Sequence, residues 1–271
     1  MIRNIIFIVL ALFSQQLFAL PEVKEKGYLR IAVYKDFAPF SFRENGRKIG
    51  IEVELGKLLA ERLGVDPLIW SIVADETMDD DLRNTVWKGH YLGGGTADVM
   101  LHVPVNKQFA AANDMVLIGN PYFKEEIVTV RRNSRANIPL IKLFADDKIG
   151  VEIDSMPDFY LLSAMGGRYR ENLVHYRTVE LAVKALQEGE VKSVVAPRSQ
   201  IQSSLASRSS EYLFTPLSMP ASYQSSWVVG MAVKRGRNEL MTKLTAALEE
   251  LKKSGDIDAL FNKYNSSYSM P

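Results

Sequence analysis

The chain has 271 residues, 47% hydrophobic and 24% charged, enough for two lobes of roughly 100–130 residues that each bury a core. Its formal net charge of +1 with three histidines gives no basic field for nucleic acid or an anionic membrane surface, and no segment reaches the about 18 consecutive apolar residues that would span a bilayer. Cysteine is absent, which excludes disulfides, cysteine-based zinc sites and a thiol nucleophile without arguing against export, since a chain of this size needs no covalent staples.

The N-terminus sets the compartment. Arg3 precedes a nine-residue apolar run, Ile5 to Phe13, and Gln15-Gln16-Leu17-Phe18-Ala19 leads on to Pro21. This pattern resembles a secretory signal peptide, residues 1–19, cleaved after Ala19. An N-terminal core helix is the competing reading, and a short apolar run behind one Arg at the very start weighs against it. No Cys follows the run, so no lipoprotein anchor is expected. Cleavage removes one basic residue and no acid, leaving 32 of each. A periplasmic, near-neutral protein with no membrane insertion after cleavage is expected.

Strands and helices then alternate. Tyr28 to Tyr34 is predicted as a strand. Ile51 to Leu63 follows as a helix, with Ile51, Leu55, Leu58, Leu59 and Leu63 on one stripe and Gly64 as its stop. Asp79-Asp80-Asp81 reads as a cap and dipole partner at a helix head. Strands are expected at Ala97–Val103, Glu126–Val130, Lys148–Ile153, Val191–Ala196 and Trp227–Val233, and a helix at Val179–Gln187 stopped by Gly189. Asn238 to Ser254 is amphipathic through Leu240, Leu244, Ala247, Leu248 and Leu251, and ends at Gly255. Asp256 caps a last helix carrying Leu260, Phe261 and Tyr264. The Ser-rich stretch Ser203 to Ser210 reads as a helix end and loop. Such alternation argues for α/β lobes with mostly parallel sheets.

The order of segments resembles family 3 extracellular solute-binding proteins. Leu29-Arg-Ile-Ala-Val-Tyr-Lys-Asp-Phe-Ala-Pro-Phe40 is similar to the family's first strand and "PF" turn, and Gly50-Ile-Glu-Val-Glu-Leu55 to its "GFDVDLA" helix. Ala97-Asp98-Val99-Met100, Asn120-Pro121-Tyr122-Phe123, Lys148-Ile149-Gly150-Val151 and the tail Leu251 to Gly255 with Lys263-Tyr264 follow in the same order, covering residues 28–265. The resemblance implies a periplasmic-binding-protein-like (type II) clamshell of two lobes with mostly parallel sheets and a two-strand hinge, closing on a solute. It implies a discontinuous lobe 1 over 20–120 and 225–271 and a lobe 2 over 121–224.

Departures from the family pattern bear on the ligand. Amino-acid binders usually carry a T-x-x-R-like motif after the "xDVI" strand, whose Arg forks onto an α-carboxylate. Here Leu101-His102-Val103-Pro104-Val105-Asn106-Lys107-Gln108 has none. Val194-Val195-Ala196-Pro197-Arg198 puts Pro and Arg where an ammonium-binding Asp would stand. Without both anchors an α-amino acid is not the expected ligand; a small polar or anionic solute is. Arg83-Asn84-Thr85-Val86 followed by Asp98-Val99-Met100-Leu101-His102-Val103-Pro104 resembles the "RNTL…DVVMGVP" pattern of MxaJ-like proteins, homologues associated with quinoprotein alcohol dehydrogenases. Trp87 to Gly95 interrupts it as an insertion.

Candidate ligand-binding residues by this analogy are Phe37 and Phe40 at the end of the first strand, Arg83, and His102, Val103 and Asn106. Ser155 and Met156 are candidates at a helix start offering backbone N–H groups, and Arg198 as a clamp on an anion. Interlobe packing is the plain alternative for the two Phe, a hydrogen-bonded structural role for His102, and an ion pair for each Arg. Gly93-Gly94-Gly95 lacks the Lys-Ser or Lys-Thr of a phosphate loop and reads as a hairpin turn. His90, His102 and His175 have no metal-ligand spacing, and no cofactor is expected.

Three readings stay open. One is a receptor delivering a small molecule to a transporter permease. Another is an accessory of a periplasmic quinoprotein dehydrogenase, working through exposed aromatics around Trp87, His90 and Tyr91. The third is a cyclohexadienyl-dehydratase-like enzyme with Glu52 or Glu152 as general acid. The first, a non-enzyme, is preferred.

Overall fold

The computed structural model describes residues 19–220 and 222–271; the apolar leader therefore lies outside the described residues, and Ala19 opens the first described helix, Ala19–Lys26. In chain order the strands are β1 Tyr28–Tyr34, β2 Phe42–Glu44, β3 Arg47–Ile49, β4 Asp66–Ile72, β5 Val99–Pro104, β6 Val116–Arg132, β7 Ile149–Glu152, β8 Leu173–Tyr176, β9 Ser193–Pro197, β10 Tyr212–Pro216 and β11 Ser226–Lys234. The chain forms two units. The first runs to Tyr122 and resumes over Val229–Ile257; the second takes Phe123–Val228 and Asp258–Pro271.

In the first unit β1 lies between two parallel neighbours, β4 and β5, and β5 pairs antiparallel with β11. Its inner residues Leu29, Ile31, Ala32 and Val33 are fully buried, as expected for a strand covered on both faces. Helix Ile51–Leu63 packs on β1 and β4 and buries Val53, Leu55, Leu59 and Leu63, while helix Asn238–Ser254 packs on that helix and on Ala19–Lys26 and buries Leu240, Leu244, Leu248 and Leu251. Gly230 of β11 is obligatory, since a Cβ there would lie 2.3 Å from the Gly119 carbonyl oxygen.

In the second unit β7 is parallel to β8 and β9, while β6 is antiparallel to β9 and β10. Helix Val179–Glu188 packs Val179, Ala182, Val183 and Leu186 beside Val128, Val130 and Val194. A second cluster joins Ile127, Leu143, Ile149, Val151, Leu161 and Val195. The parallel α/β arrangement expected from the alternation is present in both units.

Three details differ from expectation. The strand expected at Glu126–Val130 is the second half of a 17-residue strand whose first half belongs to the other unit. The glycines 93–95 form no hairpin; only a Gly93 N–H to His90 carbonyl turn precedes them. The tail, expected with the first unit, goes with the second. There Phe261 packs on Phe123 with ring centroids 4.5 Å apart, Lys124 N–H donates to the Ser269 carbonyl at 3.0 Å, and Ser267 N–H to Gln202 Oε1 at 3.0 Å.

Asp98, 3% exposed, ties the first described helix to the sheet. Its carboxylate receives Lys26 Nζ on both oxygens at 2.6 Å, the Arg30 N–H at 2.8 Å and an Arg237 nitrogen at 2.5 Å. Arg237 also reaches Glu22 at 2.6 Å. Among the described residues no helix is long and apolar enough to cross a membrane. Removing one member of a buried charge network strands the others, so Asp98→Ala is expected to cost about 3 kcal/mol of stability, read as a lower denaturant midpoint at unchanged m-value. A loss below about 0.5 kcal/mol, the surface range, would show that Asp98 is no hub.

Candidate functional site

Two loops and a helix start build the first unit's contribution. The loop after β1 closes on itself: Phe37 N–H donates to the Ser41 carbonyl at 2.7 Å and Ser41 N–H returns to Phe37 at 2.8 Å. Gly50, at φ 128, then lets the chain pass within contact of the Phe40 carbonyl; a Cβ there would lie 2.3 Å from that oxygen. The first helical N–H groups consequently bind back, Ile51 to Pro39 at 3.0 Å and Glu52 to Phe40 at 2.9 Å. This fixes Glu52 beneath the loop with no exposed surface.

Glu52 is the centre of a closed hydrogen-bonded ring. Tyr122, itself fully buried, donates its hydroxyl to Glu52 Oε1 at 2.5 Å. His102 Nδ1 lies 2.6 Å from the same oxygen, and the His102 backbone N–H donates to the Tyr122 hydroxyl at 2.8 Å. Glu52 Oε2 is buried without a partner. His102 sits at φ 61, in the left-handed region that side chains adopt at a cost of about 1–3 kcal/mol. The rings of Phe37 and Phe40 meet its imidazole edge-on, each at 4.7 Å, and stack on one another at 5.2 Å.

Tyr34, at the end of β1, flanks this cluster with its ring 6.4 Å from His102. Its hydroxyl donates to Asp81 at 2.6 Å. Burial, the Asp81 contact and the Glu52 charge together push the Tyr34 phenol well up; Tyr122 is raised by burial and by Glu52. Asp81 is itself raised by burial, although the Asp75 N–H and Tyr34 bond it. The three aspartates therefore divide their roles. Thr77, not an aspartate, caps the helix Met78–Leu82, and Asp81 turns inward.

The second unit contributes the turn after β7. Ser155 caps helix Met156–Gly167, accepting the Asp158 N–H at 3.3 Å and donating to the Glu152 carbonyl at 2.6 Å. Asp158 is buried; it accepts the Asp154 N–H at 3.1 Å and faces His175 Nε2 at 2.9 Å. Arg198 donates to Glu126 at 2.7 Å and lies over the Phe214 ring at 5.4 Å. Behind it Glu125, buried, binds the Ser199 hydroxyl. Among the described residues no group of His, Cys, Asp and Glu is arranged to hold a metal ion.

No family model matches the chain. The L-cystine-binding protein TcyJ of Escherichia coli (strain K12) is 24% identical over 253 residues, covering 90% of this chain and 85% of that protein. A probable histidine-binding protein of Neisseria gonorrhoeae is 23% identical over 256 residues, 91% and 86% of the two chains. A polar amino acid ABC uptake transporter substrate binding protein from Streptococcus thermophilus superposes with a TM-score of 0.72 at 18% identity, over 96% of this chain and 94% of that one. The fold is that of the type II periplasmic binding proteins. An ancestral cationic amino acid solute binding protein has the same architecture, TM-score 0.69 at 19% identity, covering 91% and 99%.

Within this periplasmic-binding-protein fold the residues singled out by sequence separate. Phe37, Phe40 and His102 come together in the first unit; Ser155, Met156 and Arg198 belong to the second. Phe40, at 1% exposure, and Val103, at 0%, are core side chains. Asn106 spends its carbonyl capping helix Lys107–Ala112, accepting from the Gln108 and Phe109 N–H groups. Arg83 is exposed and bonded within its own turn, to Asn84 at 3.2 Å and Asp80 at 3.8 Å. The helix start at Ser155 offers fewer N–H groups than expected, because Pro157 has none and Ser155 and Asp158 consume those of Asp158 and Asp154. In the insertion, Trp87 packs against the core beside Val86 rather than standing exposed; Tyr91 and Leu92, 86% and 77% exposed, form its tip. Glu52 entered only as an acid for a dehydratase and Tyr122 only as a motif letter. The "GIEVEL" start at Gly50 carried a signal for Glu52 but none for its partners.

Burial alone raises the Glu152 carboxyl above its ordinary 4.5. The folded chain therefore binds this proton more readily than the unfolded one, and stability falls as pH rises between the ordinary and the raised value. Glu152→Gln is expected to be more stable than the parent in denaturant melts near pH 8 and to lose the advantage near pH 4. An equal deficit at both pH values would refute the assignment.

Proposed function

We propose that the chain is the solute-binding component of an ABC-type importer, exported through its N-terminal leader, which binds a small polar solute of the amino-acid class and releases it unchanged to a membrane permease. The reading rests above all on the collinear similarity to two binding proteins over nine-tenths of the chain. Hinge closure on the solute would supply the signal to the permease.

The sequence reading set α-amino acids aside because two ion-pairing anchors are missing. The names of the relatives, cystine- and histidine-binding, do not support that exclusion, and amino acids return as the first class to test. Losing one Arg and one Asp removes two charge-assisted bonds of the usual arrangement but leaves other polar groups to replace them. Arg198 is a poor anion clamp, since Glu126 already neutralises it. The dehydratase alternative is disfavoured for Glu52, whose carboxylate is wholly buried and engaged by Tyr122 and His102, although one structural neighbour is described as a precursor of cyclohexadienyl dehydratase.

Thermal-shift titration with L-cystine, L-histidine, L-arginine and the other standard amino acids tests the reading. A solute at one hundred times its Kd adds about 2.7 kcal/mol, roughly 5–10 °C for a chain of this length. No shift with any amino acid, alongside normal folding, would return the ligand to another polar class.

One observation favours a second reading, an accessory to another periplasmic protein such as a quinoprotein dehydrogenase: the exposed Tyr91-Leu92 tip, whose stem Arg30 braces by donating to the Gly94 carbonyl at 2.6 Å while stacking on Trp70. Exposed aromatic anchors can each contribute about 2 kcal/mol to an interface. In complementation of a deletion strain, the receptor reading expects the Tyr91→Ser, Leu92→Ser double variant to act as the parent. Loss of function in that variant with solute binding intact would favour the accessory role.

A further inference from the structure

We propose that His102 is a specificity-determining residue that accepts a hydrogen bond from a cationic N–H group of the solute, with Glu52 and Tyr122 fixing the imidazole for that role; this rests on the solute-binding reading above.

The hydrogen-bond directions in the ring decide the tautomer. A carboxylate only accepts, and Glu52 Oε1 receives both the Tyr122 hydroxyl at 2.5 Å and His102 Nδ1 at 2.6 Å. A proton therefore sits on Nδ1, and in the neutral form of the ring the lone pair is on Nε2. Among the described residues Nε2 has no hydrogen-bond partner, and His102 keeps 12% of its side chain exposed. A histidine that served only to satisfy the core would spend both nitrogens inside. This one spends Nδ1 inside and presents Nε2.

Charge points to the same class of partner. Glu52 has no exposed surface, its Oε2 has no partner, and no Lys or Arg bonds it among the described residues. A buried carboxylate left without a counter-ion is costly. The groups facing His102 are Glu52 from helix Ile51–Leu63, Tyr122 from β6 and Tyr34 from β1, with Tyr34 bonded to Asp81 of helix Met78–Leu82. Apart from the imidazole itself, they supply negative charge and phenols and no cation. The rings of Phe37 and Phe40 complete the surround, and aromatic faces attract ammonium and guanidinium groups. A cation hydrogen-bonded to Nε2 would offset the Glu52 charge through the imidazole. The φ of 61 at His102, held by the backbone bond to Tyr122, is the strain under which this side chain is placed within β5, where the pairing with β11 shifts register.

The test uses the full-length mature protein with 15N-labelled histidine. Three histidines make assignment simple through His90→Gln, His102→Gln and His175→Gln. Ethylammonium chloride and sodium acetate are titrated at matched ionic strength near pH 8. Ethylammonium is expected to shift the His102 Nε2 resonance and acetate to leave it unmoved, with the response lost in Glu52→Gln, where circular dichroism checks folding. Any amino acid that stabilises the parent should bind about tenfold or more weaker in His102→Gln, the size of a bond to a charged group. An acetate response equal to or above that of ethylammonium, or no response to either, overturns the proposal. If the ring responds to ethylammonium while no amino acid stabilises the protein, the amino-acid reading fails and the cation site stands; if amino acids bind while the ring is silent, the site alone fails.

Discussion

The buried carboxylate of Glu52 joins parts of the first unit that the chain keeps far apart. It sits at the second residue of a helix, takes a hydroxyl from β6 seventy residues on, and holds a histidine within β5. The bonds share their partners: Tyr122 gives its proton to Glu52 while its oxygen receives the His102 N–H, at a residue whose backbone is left-handed. The Phe37–Ser41 loop depends on the same point, since the helix that carries Glu52 begins by donating to that loop's carbonyls. Deleting the charge would loosen a loop, a strand end and a helix start together.

The ring also lies where the chain leaves the first unit. The last residue of the first unit before the chain leaves it is Tyr122, so the ring closes at the point of exit. Nearby, Asn120 bonds the Met241 carbonyl and accepts from Thr245, and Gly230 approaches Gly119 too closely for any side chain. The first-unit halves of β6 and β11 are thus fixed by backbone contact, a setting in which Ala at 230 has no room.

Legibility in the sequence followed the nature of each signal. Helices Ile51–Leu63 and Asn238–Ser254 were readable to the residue because a stripe of leucines ends on a glycine, Gly64 and Gly255, that adopts the left-handed cap. β1 was readable for similar reasons of local composition. The continuation of β6 through Pro121 was not, because proline normally interrupts a strand. The position of the tail depended on Phe261 finding Phe123, a contact with no local period. In the site, Phe37 and His102 were marked by analogy with strand ends. The ring around Glu52 was hidden because hydrogen bonds between residues fifty and seventy positions apart leave no trace in spacing. Arg198 misled in the opposite way: its charge is evident in the sequence, and its neutralisation by Glu126 is not.

Taken unit by unit, the cations that looked available for an anionic solute are committed. Arg198 is paired with Glu126, and Arg83 is tied within its own helical turn. The helix start at Ser155 is filled by its own cap, with the Asp158 carboxylate behind it. A helix terminus supports an anion only while its N–H groups and positive field are free, and here an acid of the chain already occupies that field. In the first unit Glu52 Oε2 is buried without a partner, and in the second burial favours the uncharged form of Glu152. Under the solute-binding reading, an amine or guanidinium suits the surroundings of Glu52 better than a simple anion, which would add like charge beside that carboxylate.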